Sequence, residues 1–231
     1  MERGRDRNRP GREGHQLRLW SRNEEPLREL IFELGKCSQH SFTCVDLGRE
    51  DQVRSACQNL AQEASLRAIV HVAAAPWRAV GVEEPGNVTE FTAHWRVAVG
   101  GFVQLCTHLM PRLGSGSTIT AVSTNLTMGA PPEQASAYVS SKMALEGYIK
   151  SLALELGPRG IRANIVSPSL LNTSYTRDIP PRKKMVEAAR NPLRRLCEPE
   201  DVAEAVVHIL SPRAAFINGA LIPVTGGISM P

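Results

Sequence analysis

The sequence predicts an α/β fold with a doubly wound parallel sheet, because short apolar stretches with strand character alternate with helix-periodic stretches along the chain. The clearest strand is the uninterrupted apolar run 67–75, which is typical of a strand buried on both faces. The clearest helix is 50–64, where apolar residues recur at intervals of three and four. At 231 residues with 42% hydrophobic content, the chain is long enough for one well-buried domain.

The chain divides into an arm and one domain. Residues 1–14 are rich in arginine and show neither helical nor strand periodicity, which predicts a disordered arm before a domain over 15–231. Within the domain, 169–198 interrupts the alternation with a segment rich in proline, arginine and threonine, and this predicts a substrate loop or lid. Strands are predicted over 15–21, 41–46, 67–75, 116–123, 161–166 and 220–224, and helices over 24–35, 50–64, 88–113, 138–156 and 200–210.

Composition argues against several classes of protein. The net charge of +4 is modest for this length, and the N-terminal arginines lack interleaved aromatic residues, so neither nucleic acid nor a membrane is predicted as a partner. No apolar run approaches the roughly 18 residues of a membrane helix, which predicts a soluble, cytoplasmic protein. The cysteines are odd in number and form no metal-ligand pairs, so reduced thiols and no metal site are predicted; they are Cys37, Cys44, Cys57, Cys106 and Cys197.

A tyrosine and a lysine stand four residues apart near the start of the helix predicted over 138–156. This spacing places Tyr138 and Lys142 on one helical face. An ammonium near a phenol favours the phenolate and lowers its pKa from about 10, which would let Tyr138 exchange a proton near neutral pH. Tyr138 is therefore a candidate general acid and base. An ordinary tyrosine and lysine on a surface helix are the alternative interpretation, because the spacing is common.

The segments on either side of this helix favour the catalytic interpretation. The β-branched run 116–123 predicts a buried parallel strand, which puts Ser123 at its carboxyl end, where open α/β sheets bind ligands. After the helix come a glycine turn, the strand 161–166 and Pro168. A serine, a tyrosine and a lysine would thus meet at one edge of the sheet.

Five landmarks in this order resemble the short-chain dehydrogenase/reductase family: the serine at a strand end, Tyr-x-x-x-Lys, Gly-Ile-Arg-Ala-Asn, Pro-Glu-Asp-Val-Ala and a closing Thr-Gly-Gly. The resemblance spans 15–227 and implies a Rossmann-like sheet and hydride transfer between a nicotinamide and a carbonyl or alcohol. It implies that Tyr138 is the acid and base, that Lys142 lowers its pKa and holds the nicotinamide ribose, and that Ser123 orients the substrate oxygen. The interval from Ser123 to Tyr138 is longer than is usual in the family, so Thr124 and Asn125 are alternatives for this serine.

The resemblance also implies which positions would hold the cofactor. Arg22, directly after Ser21, is a cation where members that use NADP keep one for the 2′-phosphate, so NADP is the expected cofactor. The other implied positions are Asp46 and Leu47 beside the adenine, Ala73 and Ala74 beside the nucleotide, Pro168, Thr173 near the pyrophosphate or carboxamide, and Tyr138 and Lys142 themselves.

Three departures from the family pattern bear on the cofactor. The family's asparagine on the helix before the catalytic strand is Ala98 here, and its Asn-Asn-Ala-Gly turn is replaced by residues 71–74, His-Val-Ala-Ala. His71 is expected to be a core histidine, since it lies inside a buried strand. The family's first strand and glycine-rich turn, which place the pyrophosphate at a helix N-terminus, have no counterpart in residues 1–12.

The family's first strand has no counterpart in this sequence. In the family it lies in the middle of the sheet, between the strands that correspond to 15–21 and 67–75 here. Unpaired buried backbone groups cost on the order of 1–3 kcal/mol each. The total cost of leaving a central strand position empty would therefore exceed the free energy of unfolding of a domain. Two interpretations are open: strand 15–21 pairs directly with 68–75, or the natural chain begins upstream with a normal strand and glycine turn. The chain as written is expected to bind NADP weakly or not at all, and an added strand with its glycine turn to restore binding.

The sequence leaves two alternative functions open. One is an NADP(H)-dependent carbonyl reductase or alcohol dehydrogenase with a Ser/Tyr/Lys site. The other is a protein of the same fold that binds no dinucleotide and performs cofactor-free acid/base chemistry or serves as an interaction subunit. The expected substrate is a small carbonyl or alcohol, and the basic residues over 182–195 would suit an anionic or carrier-bound one. Helices 88–113 and 138–156 carry more apolar residues than one sheet face covers, which predicts a homodimer or homotetramer.

Overall fold

The computed structural model describes residues 15–34, 39–60 and 65–229, so the predicted arm at 1–14 and Cys37 lie outside the described residues. Strands and helices alternate in the predicted order, and the α/β fold is confirmed. The strands are β1 Arg18–Ser21, β2 Ser41–Cys44, β3 Leu66–His71, β4 Leu113–Val122, β5 Arg162–Pro168 and β6 Leu221–Val224. The helices are α1 Glu24–Leu34, α2 Glu50–Leu60, α3 Asn87–Trp95, α4 Gly101–Leu109, α5 Ser136–Leu156, α6 Pro181–Arg190 and α7 Pro199–Leu210.

The described strands form two parallel sheets instead of one. β1 pairs with β2, and β3, β4, β5 and β6 pair in that order. The break falls between β1 and β3, where the missing family strand would lie. The interpretation in which the strand at 15–21 pairs directly with 68–75 is therefore wrong, because β1 is registered only against β2 in the described sheets.

Helices cover both faces of the four-stranded sheet. On β5, Ala163 and Ile165 point into a core shared with α5, while Val166 points the other way and packs in a second cluster with Val202 of α7. This alternation is the period of two expected of a strand buried on both faces. The larger cluster also contains buried residues of α2 and α4, so it joins the first half of the chain to the second.

The long helix predicted over 88–113 is interrupted. A π-helical turn, Arg96–Gly100, separates α3 from α4, and a short 3₁₀ turn, Met110–Arg112, ends the run before Leu113 begins β4. Pro111 lies in that 3₁₀ turn and cannot continue an α-helix. π-helical turns are frequent at functional sites, and this one contains Ala98.

The segment predicted as a lid, 169–198, is more ordered than expected. It holds a 3₁₀ turn, Ser174–Thr176, and the three-turn helix α6. The Tyr175 hydroxyl donates a 2.8 Å hydrogen bond to the carbonyl of Ala75, in the chain that follows β3. This bond connects the segment to the loop beyond the carboxyl end of β3.

The predictions about membrane helices, metal sites and cysteines can be compared with the described residues. No helix in the described ranges is long and apolar enough to cross a membrane. No group of three or more His, Cys, Asp or Glu side chains that could hold a metal occurs among residues 15–34, 39–60 and 65–229. The four described cysteines are free thiols, and only Cys44 is exposed.

Candidate active site

Tyr138 and Lys142 lie together in the first two turns of α5, as the spacing predicts. Lys142 is buried, with 3% of its surface exposed, and its Nζ lies 5.9 Å from the centroid of the Tyr138 ring. α5 is long because residues 136–156 contain no proline and only one glycine, and its buried stripe includes Leu145 and Ile149. The apolar stripe fixes which face is buried, and Lys142 lies on that face.

The ammonium of Lys142 is held at the end of β4. Its Nζ donates a 2.8 Å hydrogen bond to the carbonyl of Val122, the last residue of that strand. Burial lowers the pKa of Lys142 from 10.5 to about 8, and the charge of Glu146, one turn further along α5, opposes that change. The lysine thus joins the helix to the strand end as well as carrying a charge.

The expectation that Tyr138 has a lowered pKa is wrong for this arrangement. Burial raises the pKa of the phenol above its ordinary value of 10, and a hydrogen bond with the Thr124 side chain partly opposes this. The nearby ammonium does not reverse the effect, because its hydrogen bond is to the Val122 carbonyl. In this state Tyr138 is protonated at neutral pH and can act as an acid toward a substrate oxygen.

Two hydroxyls lie at the end of β4, and that of Thr124 interacts with the Tyr138 phenol. Ser123 is buried, and its Oγ donates a 2.5 Å hydrogen bond to Glu146. Successive side chains along a strand point to opposite faces. A shift of one residue in the strand therefore changes which hydroxyl lies next to the tyrosine. Ser123 as the catalytic serine therefore stays a prediction, and Thr124, the first alternative, is the one of the two whose side chain acts on the Tyr138 phenol. The other alternative, Asn125, donates its side-chain amide to Ser229 at 2.8 Å.

Two aromatic rings and a buried acid around Tyr138 were not predicted. Trp77 and His94 meet the Tyr138 ring edge to face, with centroids 5.2 and 5.6 Å away. His94 is 2% exposed, and its Nε2 lies 4.0 Å from the carboxylate of Glu90. Burial lowers the pKa of His94, and Glu90 opposes this. The only sequence signal for His94 was its place one helical turn before Ala98.

His71 is a core residue, as expected. It is 3% exposed and stacks on the Phe102 ring with centroids 4.5 Å apart. Burial lowers its pKa to about 3, so the imidazole is neutral. Ala98 supplies no side-chain amide, and its backbone slightly opposes the lowering of the His71 pKa.

The residues expected near the adenine follow the ends of β1 and β2. Ser21 ends β1, its hydroxyl accepts a hydrogen bond from the backbone of Asn23, and Arg22 is exposed. The Asp46 carboxylate accepts a 2.9 Å hydrogen bond from the backbone amide of Gly48. Leu47 packs against the main core. Arg22 is therefore an exposed cation after β1 whose role toward a phosphate stays a prediction, while the Asp46 carboxylate bonds within its own turn.

The remaining predicted residues follow β3 and β5. Ala73 and Ala74 come directly after β3 and are partly exposed, which leaves room for a flat group. Pro168 is buried at the end of β5, where it pairs with β6. Thr173 begins the 3₁₀ turn that carries Tyr175 and forms a reciprocal cap with Thr176.

These residues fit one end of a dinucleotide better than the other. At the end predicted for the nicotinamide, Ala73 and Ala74 follow β3, Tyr138 and Lys142 lie on α5 beside the end of β4, and Tyr175 of the lid bonds to the loop after β3. At the pyrophosphate end, no strand followed by a glycine-rich turn and a helix occurs before β1 among the described residues. α1, the helix after β1, carries Glu24 and Glu25 in its first turn, which would repel a phosphate.

Comparison with known proteins identifies the class. The family model described as enoyl-(acyl carrier protein) reductase matches residues 9–229, and the chain belongs to the short-chain dehydrogenase/reductase family of oxidoreductases. The sequence resemblance and its Rossmann-like sheet are thus confirmed.

Among the relatives, the 3-oxoacyl-[acyl-carrier-protein] reductase FabG of Pseudomonas aeruginosa is 38% identical over 93 residues, which are 40% of this chain and 38% of that protein. A short-chain dehydrogenase/reductase from Brucella melitensis has the same fold, with a TM-score of 0.88 at 23% identity, covering 96% of this chain and 89% of that one. The RhlG/NADP active-site complex of Pseudomonas aeruginosa has a TM-score of 0.86 at 24% identity, covering 95% and 90%.

Proposed function

We propose that this protein is an NADP(H)-dependent reductase of a carbonyl group, with Thr124, Tyr138 and Lys142 as its catalytic residues. The observation that carries the proposal is the meeting of the Thr124 hydroxyl, the Tyr138 phenol and the buried Lys142 ammonium at the end of β4. A hydroxyl and a phenol that face one point can hold a carbonyl oxygen between them. The phenol can then give that oxygen a proton.

The cofactor would supply a hydride to the carbonyl carbon. Arg22 is exposed and would bind a 2′-phosphate, which favours NADP over NAD. Lys142 would stabilise the phenolate that Tyr138 becomes after giving up its proton and would hold a ribose hydroxyl. The NADP complex of a protein with the same fold supports this choice.

A thioester-linked 3-oxoacyl group is the proposed substrate. The FabG relative acts on 3-oxoacyl groups carried by an acyl carrier protein. In this chain, Arg182 and Lys183 are exposed and Lys184 is partly exposed in the first turn of α6, within the lid. Cations on that surface would attract an acidic carrier or an anionic substrate.

The function is tested by adding a 3-oxoacyl thioester and NADPH to the purified chain and following nicotinamide absorbance. Tyr138→Phe is expected to lower turnover by about two to four decades, the usual effect of a positioned acid. Tyr148→Phe, on the same helix and packed on Phe102, is the matched control. Equal turnover in Tyr138→Phe and wild type would overturn the proposal.

A second function is favoured by the break between the two sheets. With β1 and β3 in separate sheets and carboxylates at the start of α1, the pyrophosphate has no anion site among the described residues. The protein would then perform acid/base chemistry without a dinucleotide or serve as an interaction subunit. Titration with NADPH followed by nicotinamide fluorescence separates the two: micromolar affinity supports the reductase, whereas millimolar or no binding supports the second function.

A further inference from the structure

A buried carboxylate lies one helical turn beyond Lys142 and has no part in the chemistry described so far. Glu146 is on α5 and is 8% exposed. A buried carboxylate is costly unless hydrogen bonds and a counter-charge stabilise it. Glu146 has both.

Its hydrogen bonds hold the chain on either side of Thr124. One carboxylate oxygen, Oε1, accepts from Ser123 Oγ at 2.5 Å and from Thr127 Oγ1 at 2.8 Å. Thr127 Oγ1 also lies 2.8 Å from the Thr124 carbonyl. The turn after β4 is therefore fastened to α5 at two points, and Thr124, which lies between them, is held beside Tyr138 on the same helix.

Its charge acts on Lys142. The other titratable groups that face this ammonium are His71 from β3, His94 from α3 and Tyr138 from α5 itself. Both imidazoles have lowered pKa values, with burial as the main cause and the Lys142 charge as a smaller one, and Glu90 acts on His94. Glu146 is the carboxylate whose charge favours the protonated form of Lys142.

We propose that Glu146 is a positioning residue for this site: through Ser123 and Thr127 it fixes Thr124 against Tyr138, and its charge keeps the buried Lys142 ammonium protonated. Two properties of one carboxylate thus serve two of the three catalytic groups. They can be separated, because glutamine keeps the acceptor oxygen without the charge, while aspartate keeps the charge with a shorter reach.

The charge is tested without any assumption about the reaction. The ¹⁵Nζ chemical shift of Lys142, assigned with Lys142→Arg, is followed against pH in the full chain. The wild-type midpoint is expected near 8. Glu146→Gln should lower it by about one unit or more, the usual effect of losing an adjacent opposite charge. Glu146→Asp should stay near the wild type, as should Glu155→Gln, which removes an exposed carboxylate from the same helix.

The positioning effect is tested by kinetics, which rest on the proposed reductase function. Glu146→Gln should move the pH dependence of kcat to lower pH with KM nearly unchanged. Glu146→Asp should lower kcat across the pH range, because the shorter side chain loosens the turn that carries Thr124.

The outcomes that contradict the proposal differ for its two parts. A Lys142 titration in Glu146→Gln that matches wild type would overturn the role of the charge. If Glu146→Asp reacts as fast as wild type, the role in positioning is wrong. Absence of turnover in wild type would count against the proposed function alone, because the titration does not depend on it.

Discussion

At the scale of single residues, the proposed site depends on which of two adjacent hydroxyl groups contacts the substrate oxygen. Ser123 donates to Glu146, whereas Thr124 meets the phenol of Tyr138. Thr124→Val removes that hydroxyl at constant shape and should lower kcat by about two to three decades, the usual loss when a donor to a reacting oxygen is removed. Thr124→Ser keeps the hydroxyl and should stay within about tenfold of the wild type. The measurement is steady-state reduction of the 3-oxoacyl thioester.

Ser123→Ala is the matched control for this prediction. It removes one hydrogen bond to Glu146 but no group that faces the substrate, so its loss of turnover should be smaller than that of Thr124→Val. A larger loss in Ser123→Ala would reassign the catalytic hydroxyl to Ser123.

The buried lysine gives the folded protein a specific dependence on pH. The pKa of Lys142 is lowered to about 8 in the folded chain from 10.5. Between these values the unfolded chain binds the proton and the folded chain does not, so the free energy of unfolding rises with pH. The total is about 3 kcal/mol at 1.36 kcal/mol per pKa unit.

The check is urea unfolding at several pH values for wild type and Lys142→Met. Other groups titrate in both proteins, so the difference between them isolates the lysine. Relative to Lys142→Met, the wild type should gain stability from about pH 8 to pH 10.5 and show no trend below pH 7. A flat difference across the whole range would show that the ammonium is not buried in solution.

At the scale of elements, one hydrogen bond fastens the lid to the strand ends. The Tyr175 hydroxyl donates to the Ala75 carbonyl across the opening between the lid and β3. Tyr175→Phe removes this bond and should increase hydrogen exchange in 172–180, because local opening then costs less. Exchange in β4 should stay as in wild type. Equal protection of 172–180 in both proteins would show that the bond does not hold the lid closed.

The elements were largely predictable from the sequence, and the site only in part. Alternating apolar segments are local signals, so the order of strands and helices and the pairing of Tyr138 with Lys142 on one face follow from spacing. The choice between Ser123 and Thr124 depends on the turn after β4, which Glu146 holds from twenty-three positions away. His94 on α3 contacts Tyr138 only through packing, and Glu90 on the same helix lies beside His94. No pattern in the sequence of α3 indicates that these two residues lie near the candidate site.

At the scale of the whole molecule, the break between the two sheets is the feature that spacing alone did not predict. The sequence indicated a missing central strand but allowed β1 to move beside β3. In the structure, β1 stays with β2, and Trp20 packs against the main core. Side-chain burial therefore holds the two-stranded sheet in place where backbone pairing with β3 does not.

Association of two or more copies is the last prediction, and exposed apolar side chains carry it. On α3, Val88 is 74% exposed, and Phe91 and Trp95 stack on each other with centroids 6.2 Å apart. On α5, Met143 and Leu154 are 55% and 81% exposed. Adjacent apolar side chains on a soluble domain are typical of an interface, and closed two-fold pairing is the commonest arrangement.

Phe91→Glu should therefore convert a dimer or tetramer into smaller species, because a charge buried in a contact between copies has no counter-charge. Light scattering coupled to size exclusion at micromolar concentration measures the mass directly. Phe32→Glu is the matched control, since Phe32 is 86% exposed on α1, away from this surface. It should keep the wild-type mass. A wild-type chain that elutes as a monomer, or a Phe91→Glu chain that keeps the wild-type mass, would show that α3 does not form the interface.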